Sequence, residues 1–213
     1  MTGERRNTEP LVLLALCLLA LIVSGIRPFD RTTWLLEVAP VLIGIPALIL
    51  TWNRFQPTPL LYRLLFLHAL ILILGGHYTY ARVPPGFWVQ ELFDLGRNHY
   101  DRLGHLAQGF VPAILAREIL RKKVPALRGG WLFFLVTCVC LAFSAFYEMI
   151  EWWAALAGGE AADSFLGTQG DVWDTQWDMF LALLGALLSL TLLSRVHDKQ
   201  LECQKTPPAT VPP

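Results

Sequence analysis

The chain has 213 residues, 54% of them hydrophobic and 16% charged, where a soluble domain carries roughly 25% charged residues. Its 17 basic and 17 acidic side chains cancel, which excludes the strongly basic footprint of a nucleic-acid-binding domain. A water-soluble chain this apolar and this close to zero net charge would associate, so the composition points to a membrane. The four cysteines, Cys17, Cys138, Cys140 and Cys203, offer no disulfide framework. Cys138 and Cys140 point about 200° apart on a helix and read as small core residues.

Six apolar runs, each close to the ~20 residues that cross a ~30 Å hydrocarbon layer, predict transmembrane helices at about 10–26, 33–52, 60–80, 103–120, 130–153 and 174–194. The first follows Arg5 and Arg6 as a signal peptide would, but Ser24 and Gly25 beside Ile26 make a poor cleavage site, so it is expected to be retained. Pro40 and Pro46 in the second run and Pro112 in the fourth predict kinked helices. The expected fold class is an all-α membrane protein with one polytopic domain over 1–198. The proline-rich tail, 199–213, is predicted to be disordered.

With the N-terminus inside, twelve of the 17 basic residues fall on the cytoplasmic side, and 129–194 contains no Lys or Arg. Both termini are therefore predicted to be cytoplasmic, in a bacterial inner membrane. Twelve basic and five acidic residues leave the inner side at +7, and five basic and twelve acidic leave the outer side at −7. The positive-inside rule accounts only for the basic half, because Asp and Glu contribute little to topology.

Three polar clusters lie at the outer helix ends. On the fourth helix Asp101, His105 and Gln108 share a face at i, i+4 and i+7, following His99. Ser144, Glu148 and Glu151 share a face at the outer end of the fifth. Asp171, Asp174 and Asp178 lie within about 60° of one another entering the sixth. Asp171 or Asp174 can instead cap that helix, Glu151 can be interfacial, and Trp152, Trp153, Trp173 and Trp177 fit an aromatic belt. His105 and Glu148 are the strongest candidates, because ionisable groups inside a span are costly and face a cavity or a partner. His77 closes the third helix after Gly75 and Gly76, with a hydrogen bond to a neighbouring helix as its alternative role. His68, near mid-span, reads as a buried, satisfied histidine, and Glu37 as a side chain that snorkels; both stay outside the expected site.

Imidazoles and carboxylates brought together are ligands for a divalent metal: Zn²⁺ if His-rich, Mn²⁺ or Mg²⁺ if carboxylate-rich. The expected ligands are His77, His99, His105, Asp171, Asp174 and Asp178, with Glu148 and Asp101 as the catalytic carboxylates acting on metal-bound water. No zinc signature, nucleophile elbow, P-loop or dinucleotide fingerprint is present. Without a metal, the same carboxylates suit a proton-coupled transporter or bind a cationic ligand. The glycine-containing stretch 154–170 has the length of a lid or of a plain connector.

The strings GGHYTYARVP (75–84), NHYDRLGHLAQGF (98–110), SAFYEMIEWW (144–153) and FLGTQGDVWDTQWDM (165–179) resemble the YjdF family of bacterial inner-membrane proteins over nearly all of the chain. The resemblance implies location and helical fold, and supplies no reaction. More distantly the layout is similar to VanZ-like membrane proteins: Asp101, Arg102 and His105 match an acidic-basic-x-x-His motif, Glu148 a helix-end Glu, and Asp174 an Asp followed four later by a polar residue. Here Glu151 stands where those proteins usually have Gln, and Asp178 where they usually have Asn. The expected function is a metal-assisted enzyme or binding protein for an envelope lipid or glycan precursor, with a proton- or cation-coupled transporter and a non-catalytic assembly partner as rivals.

Overall fold

A computed structural model describes residues 8–158 and 168–205. Among these the chain forms seven α-helices and no strand: α1 (Glu9–Ser24), α2 (Arg31–Thr51), α3 (Pro59–Tyr78), a 3-10 turn (Tyr80–Arg82), α4 (Pro84–Leu92), α5 (Tyr100–Lys123), α6 (Gly129–Gly158) and α7 (Asp174–Lys205). Local chemistry sets several of the starts. The Asp30 carboxylate accepts from Thr33 N–H at 2.7 Å ahead of α2, and Thr58 caps α3 just before a proline at its first position.

Helices α2, α3, α6 and α7 are long and apolar enough to cross a bilayer, and α1 is a shorter apolar helix. Exposure is inverted relative to a water-soluble fold: Leu50 is 83% and Trp131 71% exposed, whereas Glu118 and His197 are fully buried. An all-α membrane protein has this pattern, because lipid solvates the apolar exterior and polar groups must find partners inside.

Pro40 and Pro46 lie inside α2 and Pro112 inside α5, helices where the sequence predicts them. The structure changes other expectations. Helix α6 passes 153 and takes in residues 154–158 of the expected outer loop, while 159–167 lie outside the described residues. Helix α7 passes 194 and continues through 199–205, the start of the expected tail; 206–213 lie outside the described residues. Helix α4, opened by Pro84 and Pro85, was not anticipated. Cys140 is buried as expected, but Cys138 is exposed.

The most extensive packing joins α5 to α7. Two glycines permit it: a Cβ on Gly109 would overlap the carbonyl of Ala182, and one on Gly185 the carbonyl of Leu106. The backbones themselves are in contact, as small residues allow in membrane helices. Beside the crossing sits an apolar core of Ala113, Leu132, Val136, Cys140, Ala186 and Leu190. Polar clusters lie at either end of the α5–α7 pair.

Gly109→Ala should lower stability in detergent by about 1–3 kcal/mol, the range for overpacking. Gly44→Ala, where a Cβ meets nothing within 4 Å, should instead raise it by up to about 1 kcal/mol through helix propensity. Denaturant titration followed by circular dichroism distinguishes the two.

Candidate functional site

The segment before α5 is held in place by one asparagine. Asn98 Nδ2 donates to the Val83 carbonyl at 3.0 Å, and its Oδ1 accepts from Tyr100 N–H at 3.0 Å. Gly86 has no room for a Cβ because Asn98 occupies that space. The backbone of Asn98 pairs with the side-chain amide of Gln169, donating at 3.1 Å and accepting at 2.8 Å. This clamp ties the start of α5 to the segment entering α7. It sets Asp101 and His105, one turn apart on α5, against Asp174 and Asp178, one turn apart on α7.

His105 is the centre of the arrangement. Its Nε2 lies 3.5 Å from Asp101 Oδ1 and 3.9 Å from Asp178 Oδ2, and its Nδ1 lies 3.8 Å from Glu148 Oε1. Asp101, His105, Glu148 and Asp178 are all buried. Two sets of possible ligand atoms lie within 4.8 Å of one another: Asp101, His105 and Asp178, and His105, Glu148 and Glu151. His105 Nδ1, Glu148 Oε1 and Asp178 Oδ1 are buried without a hydrogen-bond partner. The separations around the imidazole are too long for good hydrogen bonds. Bonds of about 2.0–2.2 Å to a shared cation would place neighbouring ligands roughly 3–3.5 Å apart, close to what is seen.

The remaining expected ligands are engaged elsewhere. Asp174 Oδ1 pairs with Arg97 Nη1 at 2.8 Å. Asp171 Oδ2 pairs with Arg102 Nη2 at 2.7 Å and Arg97 Nη1 at 3.4 Å, and its Oδ1 accepts from Trp173 N–H at 3.0 Å. His77 contacts the Ser24 carbonyl through Nδ1 at 2.8 Å, so it joins α3 to the end of α1 and lies outside the cluster. His99 sits at the N-cap of α5, also outside it. Burial, with Arg102 and Arg97 nearby, holds the His99 imidazole below its ordinary pKa, which favours its neutral form.

Two carboxylates belong nearer the centre than the sequence reading placed them. Glu151 shares a possible ligand set with His105 and Glu148. Glu37 of α2 is buried, accepts from the Tyr147 hydroxyl at 3.3 Å, and lies within electrostatic reach of Asp101 and His105. Its available signal was a carboxylate inside an apolar run; its direction depended on how α2 packs on α3. Gly76 permits that packing by lying against Val38 and Glu37. The Tyr80 ring fills the space that Cβ atoms on Gly75 and Gly104 would take. Tyr80 is buried and in hydrogen-bonding reach of Glu37, at the rim of the cluster.

Removing one member of a buried ion pair leaves an uncompensated charge and costs about 3–5 kcal/mol. Arg97→Met should destabilise the protein by that order, because Asp174 loses its 2.8 Å partner. Adding Asp174→Asn to Arg97→Met should recover much of the loss in the same unfolding measurement.

Residues 9–199 match the family model described as "Predicted membrane protein (DUF2238)". The chain is 56% identical over 199 residues to Inner membrane protein YjdF of Escherichia coli (strain K12), an alignment covering 92% of this chain and 95% of the relative. No solved structure matches the chain. With its apolar helices, this makes it a multi-pass inner-membrane protein, and the chain belongs to the DUF2238 family of membrane proteins, together with YjdF.

Proposed function

We propose that Asp101, Asp178 and the Nε2 of His105 hold a divalent cation at the outer face of the membrane, and that the protein is a metal-assisted enzyme or binding protein for an envelope lipid or glycan precursor. One observation carries the reading: His105 Nδ1, Glu148 Oε1 and Asp178 Oδ1 are buried and unpartnered around one imidazole. With His77 and His99 elsewhere, the donor set is one nitrogen among carboxylates, which suits Mn²⁺ or Mg²⁺ better than a His-rich zinc site. Glu148 faces the other imidazole nitrogen, where it would orient the ring as carboxylates do behind metal-ligating histidines, a role that replaces the expected one of acting on metal-bound water. A bound cation would polarise a phosphoryl or ester oxygen and acidify water.

The topology in this reading has six spans with both termini cytoplasmic, and a single domain. Helices α1 and α5 join the four long apolar helices, and the basic ends of α3, α5 and α7 face the cytoplasm. The α5–α7 contact favours this reading over proton- or cation-coupled transport. A transporter needs a polar route from the cluster to the opposite end, where the backbones of Gly109 and Ala182 touch and Ala113, Val136 and Ala186 form an apolar core. Assembly glue would have its hydrogen bonds filled, which the three unpartnered atoms do not.

Equilibrium dialysis of detergent-purified protein against Mn²⁺ tests the proposal. Wild type should bind stoichiometrically, His105→Ala and Asp178→Asn should abolish binding, and Glu148→Gln should weaken it by about 10–100-fold, as expected for loss of an orienting partner. Absence of Mn²⁺ and Mg²⁺ binding by folded wild type, or equal binding by all variants, would overturn it.

A further inference from the structure

A second feature lies at the other end of the bundle, away from the acidic cluster. Helices α1, α2 and α3 meet near the cluster end through an apolar group including Cys17, Leu21, Val38 and Ile73, with Trp34 Nε1 donating to Ser24 Oγ at 3.0 Å. Toward their opposite ends they enclose an apolar cavity of about 600 Å³, lined by residues including Cys17, Gly44, Leu48, Phe66 and His68. A volume of roughly 300–1,000 Å³ is that of a small-molecule site.

The cavity adjoins a second one of about 680 Å³, and Pro10, Leu11, Trp52 and Tyr62 border both. The second cavity is less apolar than the first, with Gln56, Lys199, Gln200 and Gln204 in its wall beside Pro57 and Pro59. It opens at the end of the bundle that carries exposed Arg54, Arg195 and Lys199. Along α3 the apolar wall runs from Tyr62 to Leu72, about 15 Å at 1.5 Å per residue. That is half of a ~30 Å hydrocarbon core, the depth of one leaflet.

We infer that this two-part cleft is a seat for one anionic phospholipid, an acyl chain lying in the apolar cavity between α1, α2 and α3 and the phosphate headgroup meeting Lys199 and the glutamine amides at the basic mouth. Three features select that occupant: an apolar channel one leaflet deep, an adjoining chamber with amide groups in its wall, and the positive charge of Lys199 at the mouth, where a basic residue attracts anionic lipid by about 1 kcal/mol. Gly44 has nothing within 4 Å of where its Cβ would be, so the channel has room beside α2. The buried, unpartnered Nε2 of His68 at the channel wall corrects its reading as a satisfied histidine. It contributes nothing to holding a hydrocarbon chain.

Native mass spectrometry of the full chain, released from detergent micelles with added phosphatidylglycerol or phosphatidylcholine, tests the assignment. Wild type should retain one phosphatidylglycerol in preference to phosphatidylcholine. Gly44→Leu and, independently, Leu48→Trp fill the channel and should lower retention at least about tenfold, or 1.4 kcal/mol, with an unchanged circular dichroism spectrum. Lys199→Glu should remove the preference for the anionic lipid. His68→Leu should retain lipid as well as wild type. Equal retention by wild type and both channel-filling variants, no anionic preference in wild type, or loss of retention in His68→Leu would overturn the proposal. None of these outcomes depends on cation binding at the His105 cluster.

Discussion

The contact between α5 and α7 is the constraint on which the rest of the molecule depends. Lipid tails supply no hydrophobic drive between helices, so close packing of small residues must do that work. Gly109 and Gly185 bring each backbone against the other. Once they touch, the register of the two helices is set, and so are the residues that meet above and below. Above the contact, Asp101 and His105 face Asp174 and Asp178. Below it, Arg117 and Glu118 face His197 and Asp198.

The two ends use the same residue types to opposite effect. At the basic end, Glu118 accepts from Thr58 N–H at 3.1 Å, Thr58 Oγ1 at 2.8 Å, Lys122 Nζ at 2.7 Å and His197 Nε2 at 3.0 Å. Arg117 Nη1 lies 2.9 Å from His197 Nδ1. Arginine can only donate, so Nδ1 accepts and Nε2–H donates to Glu118, which makes His197 neutral. Every acceptor of Glu118 is used, and the network fastens the start of α3 to α5 and α7. Buried polar networks that are fully satisfied rigidify a fold. Around His105 the distances are longer and three atoms have no partner. That difference, more than the presence of charge, separates a fastening from a candidate site.

Much of this was legible in the sequence because lipid imposes a simple rule on segment length and polarity. The apolar runs located the long helices, and the i, i+4 spacing brought Asp101 with His105. Depth was readable; azimuth around the bundle was not. His77 lies in the last turn of α3, but it turns toward Ser24 of α1. Glu37 lies at a similar level and turns inward to Tyr147, because Gly76 sets how α2 packs on α3. Asp171 and Asp174 share the face expected of them, yet Arg97 and Arg102 take them up first. In the sequence Arg97 is one of the five basic residues on the outer side, and Arg102 is another that also belongs to the acidic-basic-x-x-His motif; neither reading pairs them with these aspartates. Glu118 falls inside the predicted fourth span, 103–120, where a carboxylate signals a partner.

Arg97 and Arg102 sharpen the meaning of the negative charge at this end of the bundle. Arg97 and Arg102 compensate Asp171 and Asp174, so the uncompensated carboxylates are those gathered around His105: Asp101, Asp178, Glu148 and Glu151, with Glu37 behind them. Buried charges require compensation by pairing, protons or metal. A single imidazole supplies at most one positive charge, and shares it among carboxylates on both of its edges. A divalent cation supplies two, and takes only one imidazole nitrogen as a ligand, which leaves the other free to be oriented by Glu148. The asymmetry of the cluster, two aspartates at one edge of the ring and a glutamate at the other, is one that the proposed ion would use.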